Sequence, residues 1–169
     1  CTAETGKGIK RALAAWLKEF KRSVFFRRLL ALTFYTSLVL FRTLLNRKLW
    51  LNPLSDVCGG WSLWTINANG VRVLTTDSVE NVLMLLPFTM LLMWAAKDKI
   101  LKKVTFAGIV KSSFKTAFLF SLSIELLQLF LRVGTFQLSD LCYNILGGII
   151  GGVIYGAVWK IKSRKKMES

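Results

Sequence analysis

Four stretches of this chain are long and apolar enough to cross a lipid bilayer, and that constrains its fold more than any other feature. A hydrocarbon core about 30 Å thick takes an α-helix of about 20 apolar residues. The four runs are Val24–Leu45, Val79–Ala96, Val104–Leu131 and Leu141–Trp159. Within the second, Asn81–Ala96 carries no charge, and neither does any residue of the fourth. The third holds Lys111 and Lys115 early and Glu125 late. The first has Arg27 and Arg28 at one end and Arg42 near the other, so its uncharged centre, Leu29–Phe41, is shorter. Buried helices of a soluble protein are the alternative for each run, and they fit the lengths and flanks less well. A signal peptide fits the first run poorly, because no small-residue cleavage site follows it.

Composition agrees. Of 169 residues, 53% are hydrophobic and the mean hydropathy is +0.48, which excludes a disordered chain. Lys and Arg number 24 against 9 Asp and Glu, a net charge of +15, with no His. A soluble nucleic-acid binder could carry that charge, but it would spread it along one face of a polar surface. Here the charge is segmented. Residues 1–28 net +6, residues 97–115 net +5 and residues 160–169 net +4, which together equal the whole charge. Loop 42–80 nets +1. Basic and near-neutral segments thus alternate along the chain, as the positive-inside rule demands of four spans with both termini and the 97–115 loop cytoplasmic. The 46–78 loop and the 132–140 connection then face outward. The bilayer is the expected partner, with its anionic lipid drawn to the lysine-rich side, and no nucleic acid is expected.

Ahead of the first span, Ile9, Leu13, Trp16, Leu17, Phe20 and Val24 recur at helical spacing. Lys7, Lys10, Arg11, Lys18, Lys21 and Arg22 fill most of the remaining face. Such a helix either lies in the headgroup plane or serves as a charged lead-in that orients the first span. The expected fold class is therefore all-α, four transmembrane helices with an N-terminal amphipathic basic helix. Its divisions are a lead-in (1–23), a four-helix transmembrane domain (24–159) and a basic tail (160–169).

Ionisable groups inside a span are costly and face a bundle interior or a cavity. In this chain they gather at one depth. Arg42 closes the first span, and Glu80 and Asn81 open the second. Glu125, Gln128 and Arg132 share a face of the third at i, i+3 and i+7, and Asp140 and Asn144 share a face of the fourth at i and i+4. Because the spans alternate in direction, all of these reach the same outer layer. Two readings follow. In one, Glu125 pairs with Arg42 and holds helices together. In the other, Arg42, Asn81, Glu125, Gln128, Asp140 and Asn144 line an outward polar pocket. Glu125 and Asp140 would suffice for acid–base work, and carboxylates with amides could also bind a cation. No Ser/His/Asp or Cys/His set is present.

Three further features bear on packing. Gly147, Gly148, Gly151, Gly152 and Gly156 give overlapping Gly-x-x-x-Gly spacings, which let helices approach closely, either within the chain or in a homodimer. Pro87 is expected to kink the second span. Loop 46–78 holds Trp50, Trp61 and Trp64 with turn signals at Asn52-Pro53-Leu54 and Gly59-Gly60, and is expected to lie on the membrane or fold over the pocket. Cys1, Cys58 and Cys142 form no metal-ligand spacing, so no metal or cofactor is expected. Cys58 and Cys142 share the outer side, where a disulfide is an option. Cys1 fits a trimmed N-terminus better than a lipoprotein start, which would lie outside.

Glu125-x-x-Gln128-x-Phe130 followed by Asp140-x-x-x-Asn144-x-x-Gly147-Gly148-x-x-Gly151 resembles the VanZ-like membrane protein family. So do Glu80-Asn81 before Leu85-Leu86-Pro87-Phe88, the Arg42 and Arg47 end of the first span, and Asn52-Pro53 with Gly59-Gly60-Trp61. The likeness covers about residues 30–159. Where the family pattern has an arginine after the Gln, this chain has Gly134, so Arg132 or Arg42 would have to substitute. The resemblance implies a bacterial cell-membrane protein linked to resistance against glycopeptide antibiotics such as teicoplanin, with no established reaction. The expected function is binding of a lipid, a lipid-linked cell-wall precursor or a lipoglycopeptide at the outer face. The alternatives are a membrane enzyme using Glu125 and Asp140 on an amphiphile, and an oligomeric transporter or channel subunit. No nucleotide-binding loop is present to power a pump.

Overall fold

A computed structural model describes residues 2–45, 49, 51–165 and 167. Cys1, Arg47 and Trp50 lie outside the described residues, as do the side chains of Lys7 and Ile9. The chain runs through α1 (Thr2–Arg22), α2 (Val24–Leu40), a π-helical turn (Phe41–Leu45), β1 (Trp64–Ile66), β2 (Arg72–Leu74), α3 (Thr76–Ile100), α4 (Phe106–Leu131) and α5 (Leu138–Lys165). Four helical stretches are long and apolar enough to span a membrane: Val24–Leu45, Thr76–Ile100, Phe106–Leu131 and Leu138–Lys165. At 1.5 Å per residue, α3, α4 and α5 are about 37 to 42 Å long, so each overruns the hydrocarbon at its ends. The chain is an all-α, multi-pass membrane protein.

Local chemistry sets the breaks. Ser23 separates α1 from α2 in an extended conformation and its Oγ accepts the Phe26 N–H at 3.1 Å, an N-cap. Thr105 caps α4 through the Gly108 N–H at 3.0 Å. α4 ends on Arg132, which is left-handed (φ 55°), and the turn continues through Gly134 at φ 130°. An arginine at position 134 would strain this backbone, which accounts for the glycine there.

α5 is the centre of the bundle because its glycines admit two neighbours. A Cβ on Gly147 would fall on the Val82 carbonyl oxygen, and one on Gly151 on the Leu86 oxygen and Thr89 Oγ1, both in α3. On the adjoining face, Gly148 meets the Ala117 Cβ, Gly152 meets Ser113 Cβ at 2.6 Å and Gly156 meets the Phe106 ring at 2.9 Å, all in α4. These five positions therefore face this chain's own helices, not a second copy. Lipid is as apolar as leucine, so close backbone contact and small polar side chains hold such helices together. Thr89, Ser113 and Ser121 are accordingly buried between them. Thr89 Oγ1 lies 3.0 Å from the Gly148 carbonyl, spanning the seam between α3 and α5.

α2 packs differently. Arg28, Leu32, Tyr35 and Val39 form a stripe toward α3, where Leu32 and Tyr35 cover a core of Leu85, Phe88 and Ala117 with Phe120. Phe88 and Phe120 stack with centroids 4.4 Å apart. The helix α3 is continuous through Pro87, whose missing N–H leaves its preceding turn short of a donor. The carbonyl that loses its donor is that of Leu83; the neighbouring Met84 carbonyl accepts the Tyr35 hydroxyl at 2.9 Å, tying α2 to α3 at this turn.

The loop after the first span contains structure that its sequence reading missed. β1 and β2 pair antiparallel, with Trp64 opposite Leu74 and Ile66 opposite Arg72. Asn67 Oδ1 accepts the N–H groups of Asn69 and Val71, both at 3.0 Å, and Gly70 takes φ 76°. Asn69-Gly70 between Trp-Thr-Ile and Arg-Val-Leu is the hairpin signal that was there to be read.

Candidate functional site

The polar end of the bundle holds a cavity of about 330 Å³. Its wall is Arg42, Asp77, Glu80, Asn81, Thr135, Gln137 and Asp140. The π-helical turn supplies Arg42, the first turns of α3 supply Asp77, Glu80 and Asn81, and the α4–α5 connection with the start of α5 supplies the rest. The Arg42 guanidinium bonds Glu80 Oε2 at 2.6 Å, and both side chains are about half exposed. Among the described residues of the wall, three carboxylates, Asp77, Glu80 and Asp140, accompany the Arg42 guanidinium.

A second cavity of about 300 Å³ shares Arg42, Glu80 and Asn81 with the first. Its other walls are Tyr35, Thr43, Leu83 and Met84, so it is less polar and follows α2 and α3 away from the polar end. The two adjoin along Arg42, Glu80 and Asn81, so a charged cleft lies beside a slot to which Leu83, Met84 and Tyr35 add apolar surface.

The structure divides the six pocket residues expected from sequence into two groups. Arg42, Asn81 and Asp140 line the cleft. Glu125, Gln128 and Asn144 are buried and line neither cavity. Gln128 Nε2 donates to the Thr43 carbonyl at 2.8 Å, tying α4 to the turn that carries Arg42. Glu125 Oε2 accepts the Gln137 N–H at 3.3 Å, fixing the connection that forms one wall. Asn144 Nδ2 donates to Ser121 Oγ at 3.0 Å, joining α5 to α4. These three are thus positioned to hold the wall in place. Asp140 lines the first cavity and Glu125 lines neither of the two, and Arg42 bonds Glu80 where the interhelical reading paired it with Glu125. Of the two substitutes for the arginine missing at 134, Arg42 lines the cleft and Arg132 does not.

Asp77, Thr135 and Gln137 escaped the sequence reading. Asp77 sits in the first turn of α3, where a carboxylate reads as ordinary dipole compensation. Thr135 and Gln137 lie in a short connection with no periodicity to mark a face.

The Trp-rich loop docks beside the cleft, and none of its residues 51–75, ahead of α3, lines either cavity. Phe136 N–H donates to the Pro53 carbonyl at 2.9 Å and Leu138 N–H to the Val57 carbonyl at 3.0 Å. Gln137 Nε2 reaches Asp56 Oδ2 at 2.7 Å, and the Tyr143 hydroxyl donates to the Trp61 carbonyl at 2.9 Å. Residues 53–61 therefore brace the 136–143 segment from outside. Cys58 and Cys142 are free and exposed. Among the described residues, no three His, Cys, Asp or Glu side chains form a metal-binding group.

No curated protein and no solved structure shows significant similarity to the chain. The VanZ/LLP1 family model matches residues 20–160, which takes in the first three spans, the fourth as far as Lys160, and every residue of the cleft. This chain belongs to the VanZ/LLP1 family.

Proposed function

We propose that this protein binds the polar head of an amphiphile in the cleft between α2, α3 and α5, at the outer face of a bacterial plasma membrane. The supporting observation is that the two cavities share Arg42, Glu80 and Asn81 as a common wall. A polar well beside a less polar slot matches a molecule with a hydrated head and a hydrocarbon tail. A guanidinium suits a phosphate oxygen, and carboxylates beside it suit hydroxyl or amino groups. A lipid or lipid-linked cell-wall precursor combines these features. Occupying it, or holding a lipoglycopeptide in its stead, would reduce glycopeptide engagement and lower susceptibility to drugs such as teicoplanin. The charge pattern supports the orientation, with basic segments on the cytoplasmic side and the cleft on the other.

The test is a susceptibility assay in a sensitive bacterial host expressing the full chain, alongside Asp140→Asn. That change keeps the size of a cleft side chain and removes its charge. Expression of the natural chain is expected to raise the inhibitory concentration of teicoplanin, and Asp140→Asn to abolish the rise at equal membrane abundance. Full protection by the variant would move the function away from the cleft. Orientation is read separately from the exposed Cys58, which a membrane-impermeant maleimide should label in intact cells.

A further inference from the structure

The opposite, basic end of the bundle carries a second feature, unrelated to the cleft. α2 has two stripes. One, Arg28, Leu32, Tyr35 and Val39, faces α3. The other, Arg27, Leu30, Ala31 and Phe34, follows i, i+3, i+4, i+7 spacing and is turned away from it. Among the described residues, Phe20 of α1 closes over this second stripe, leaving a crevice of about 420 Å³. Apart from Arg27 its wall is entirely apolar.

We infer that this crevice holds one anionic phospholipid, its phosphodiester on Arg27 and an acyl chain along Leu30, Ala31 and Phe34. Three observations converge on that occupant. First, geometry fits: Arg27 and Phe34 are seven residues apart on one helix, about 10 Å along its axis, so the cation sits at headgroup level when Phe34 sits in hydrocarbon. Second, Arg27 is available. At this end Arg28 lies over the Trp94 ring and donates to the Trp94 carbonyl, Lys99 lies over the Phe25 ring, and Lys97 pairs with Asp98. The Arg27 side chain, in contrast, makes no hydrogen bond or ion pair among the described residues. Third, α1 continues the same chemistry. Leu13, Trp16 and Leu17 are exposed on it beside Lys10, Arg11, Lys18 and Lys21. Trp16 is held by stacking on Phe20 at 5.5 Å and edge-on to Phe26 at 6.1 Å. An apolar stripe flanked by cations is what an interfacial helix on an anionic leaflet presents. The Ser23 break lets α1 leave the axis of α2 and cap the crevice with Phe20.

The inference is tested on the full chain purified in mild detergent, by native mass spectrometry with phosphatidylglycerol and phosphatidylcholine of identical acyl chains. The natural chain is expected to retain one phosphatidylglycerol, with a preference over phosphatidylcholine of about fivefold or more, the worth of one basic residue near an anionic surface. Arg27→Gln is expected to abolish the preference while leaving weak binding of both lipids. Ala31→Phe, which fills the slot and keeps the charge, is expected to lose both. Arg72→Gln, in the hairpin at the other end of the bundle, is expected to change neither. Equal retention of the two lipids by the natural chain would overturn the inference. So would an Arg27→Gln protein that keeps its preference, or displacement of the lipid by millimolar inorganic phosphate, which would mark a simple anion site. Helical content and monodispersity of each variant are checked first, and Ala31→Phe, on the outward stripe, remains informative if Arg27→Gln does not fold.

Discussion

The two sides of α3 are built on opposite terms. Toward α5 the backbones meet at glycine, with carbonyl oxygens of Val82 and Leu86 where a side chain would be. Toward α2 the contact is made by large side chains, Tyr35 and Leu32 against Leu85 and Phe88, and the seam opens into the cleft at its polar end. Contact through glycine leaves no slack, so that face can hold the bundle but not a ligand. Contact through long side chains leaves gaps between them, and those gaps are where a guest fits. In this family member, the tight seam and the open cleft therefore occupy different faces of one helix.

The contrast is broken most directly at Gly147. A Cβ there meets the main-chain carbonyl of Val82, which cannot move without shifting α3. Gly147→Ala is expected to cost about 3 kcal/mol, the upper end for overpacking, and to leave little folded protein in a detergent-solubilised size-exclusion profile. Gly156→Ala meets the edge of the Phe106 ring at 2.9 Å, a side chain that can swing, and should retain most of the natural yield. If the two variants behave alike, the tight seam is not what holds α5.

A smaller effect is expected where the rigid side braces the open one. Gln128 Nε2 is buried on the Thr43 carbonyl, 85 positions away in sequence. Gln128→Leu keeps the volume and removes the donor, leaving that carbonyl unsatisfied at a cost of about 1–3 kcal/mol. The thermal midpoint should fall, and ligand protection with it, because the turn carrying Arg42 loses its tie to α4. A drop in stability with undiminished protection would show that Arg42 needs no such tie.

The sequence carried the architecture further than it carried the site. Span positions follow from the lengths of apolar runs, and the shared level of Arg42, Glu80, Asn81, Glu125 and Asp140 follows from alternating helix direction. What remained hidden is rotation. Glu125 and Asp140 stand at similar depth, yet one is 2% exposed behind Gln137 and the other lines the cleft. A turn of about 100° per residue separates those fates, and a mostly apolar helix carries no strong stripe to fix it. The π-helical turn is equally hard to read from local residues, and its tie to α4 through the Gln128 amide joins positions far apart in sequence. The hairpin signal at Asn69-Gly70 is present in the sequence, beside tryptophans that read equally well as membrane anchors.

The smallest effect on stability belongs to the Arg42–Glu80 pair. The pair is short at 2.6 Å, but its side chains are 56% and 49% exposed. Ion pairs with that access to water contribute about 0–1 kcal/mol, since screening and side-chain ordering offset most of the Coulombic gain. Glu80→Gln keeps the shape of the side chain, so its thermal midpoint should lie close to that of the natural protein and within reach of a neutral control such as Lys162→Gln. Its effect on antibiotic protection should be far larger, because it changes the charge at the wall shared by the polar well and the apolar slot. That divergence, small in melting and large in susceptibility, is the signature of a residue that serves a ligand. A large fall in stability would instead place Glu80 among the fasteners with Glu125 and Gln128, and the open side of α3 would then be a structural seam like the closed one.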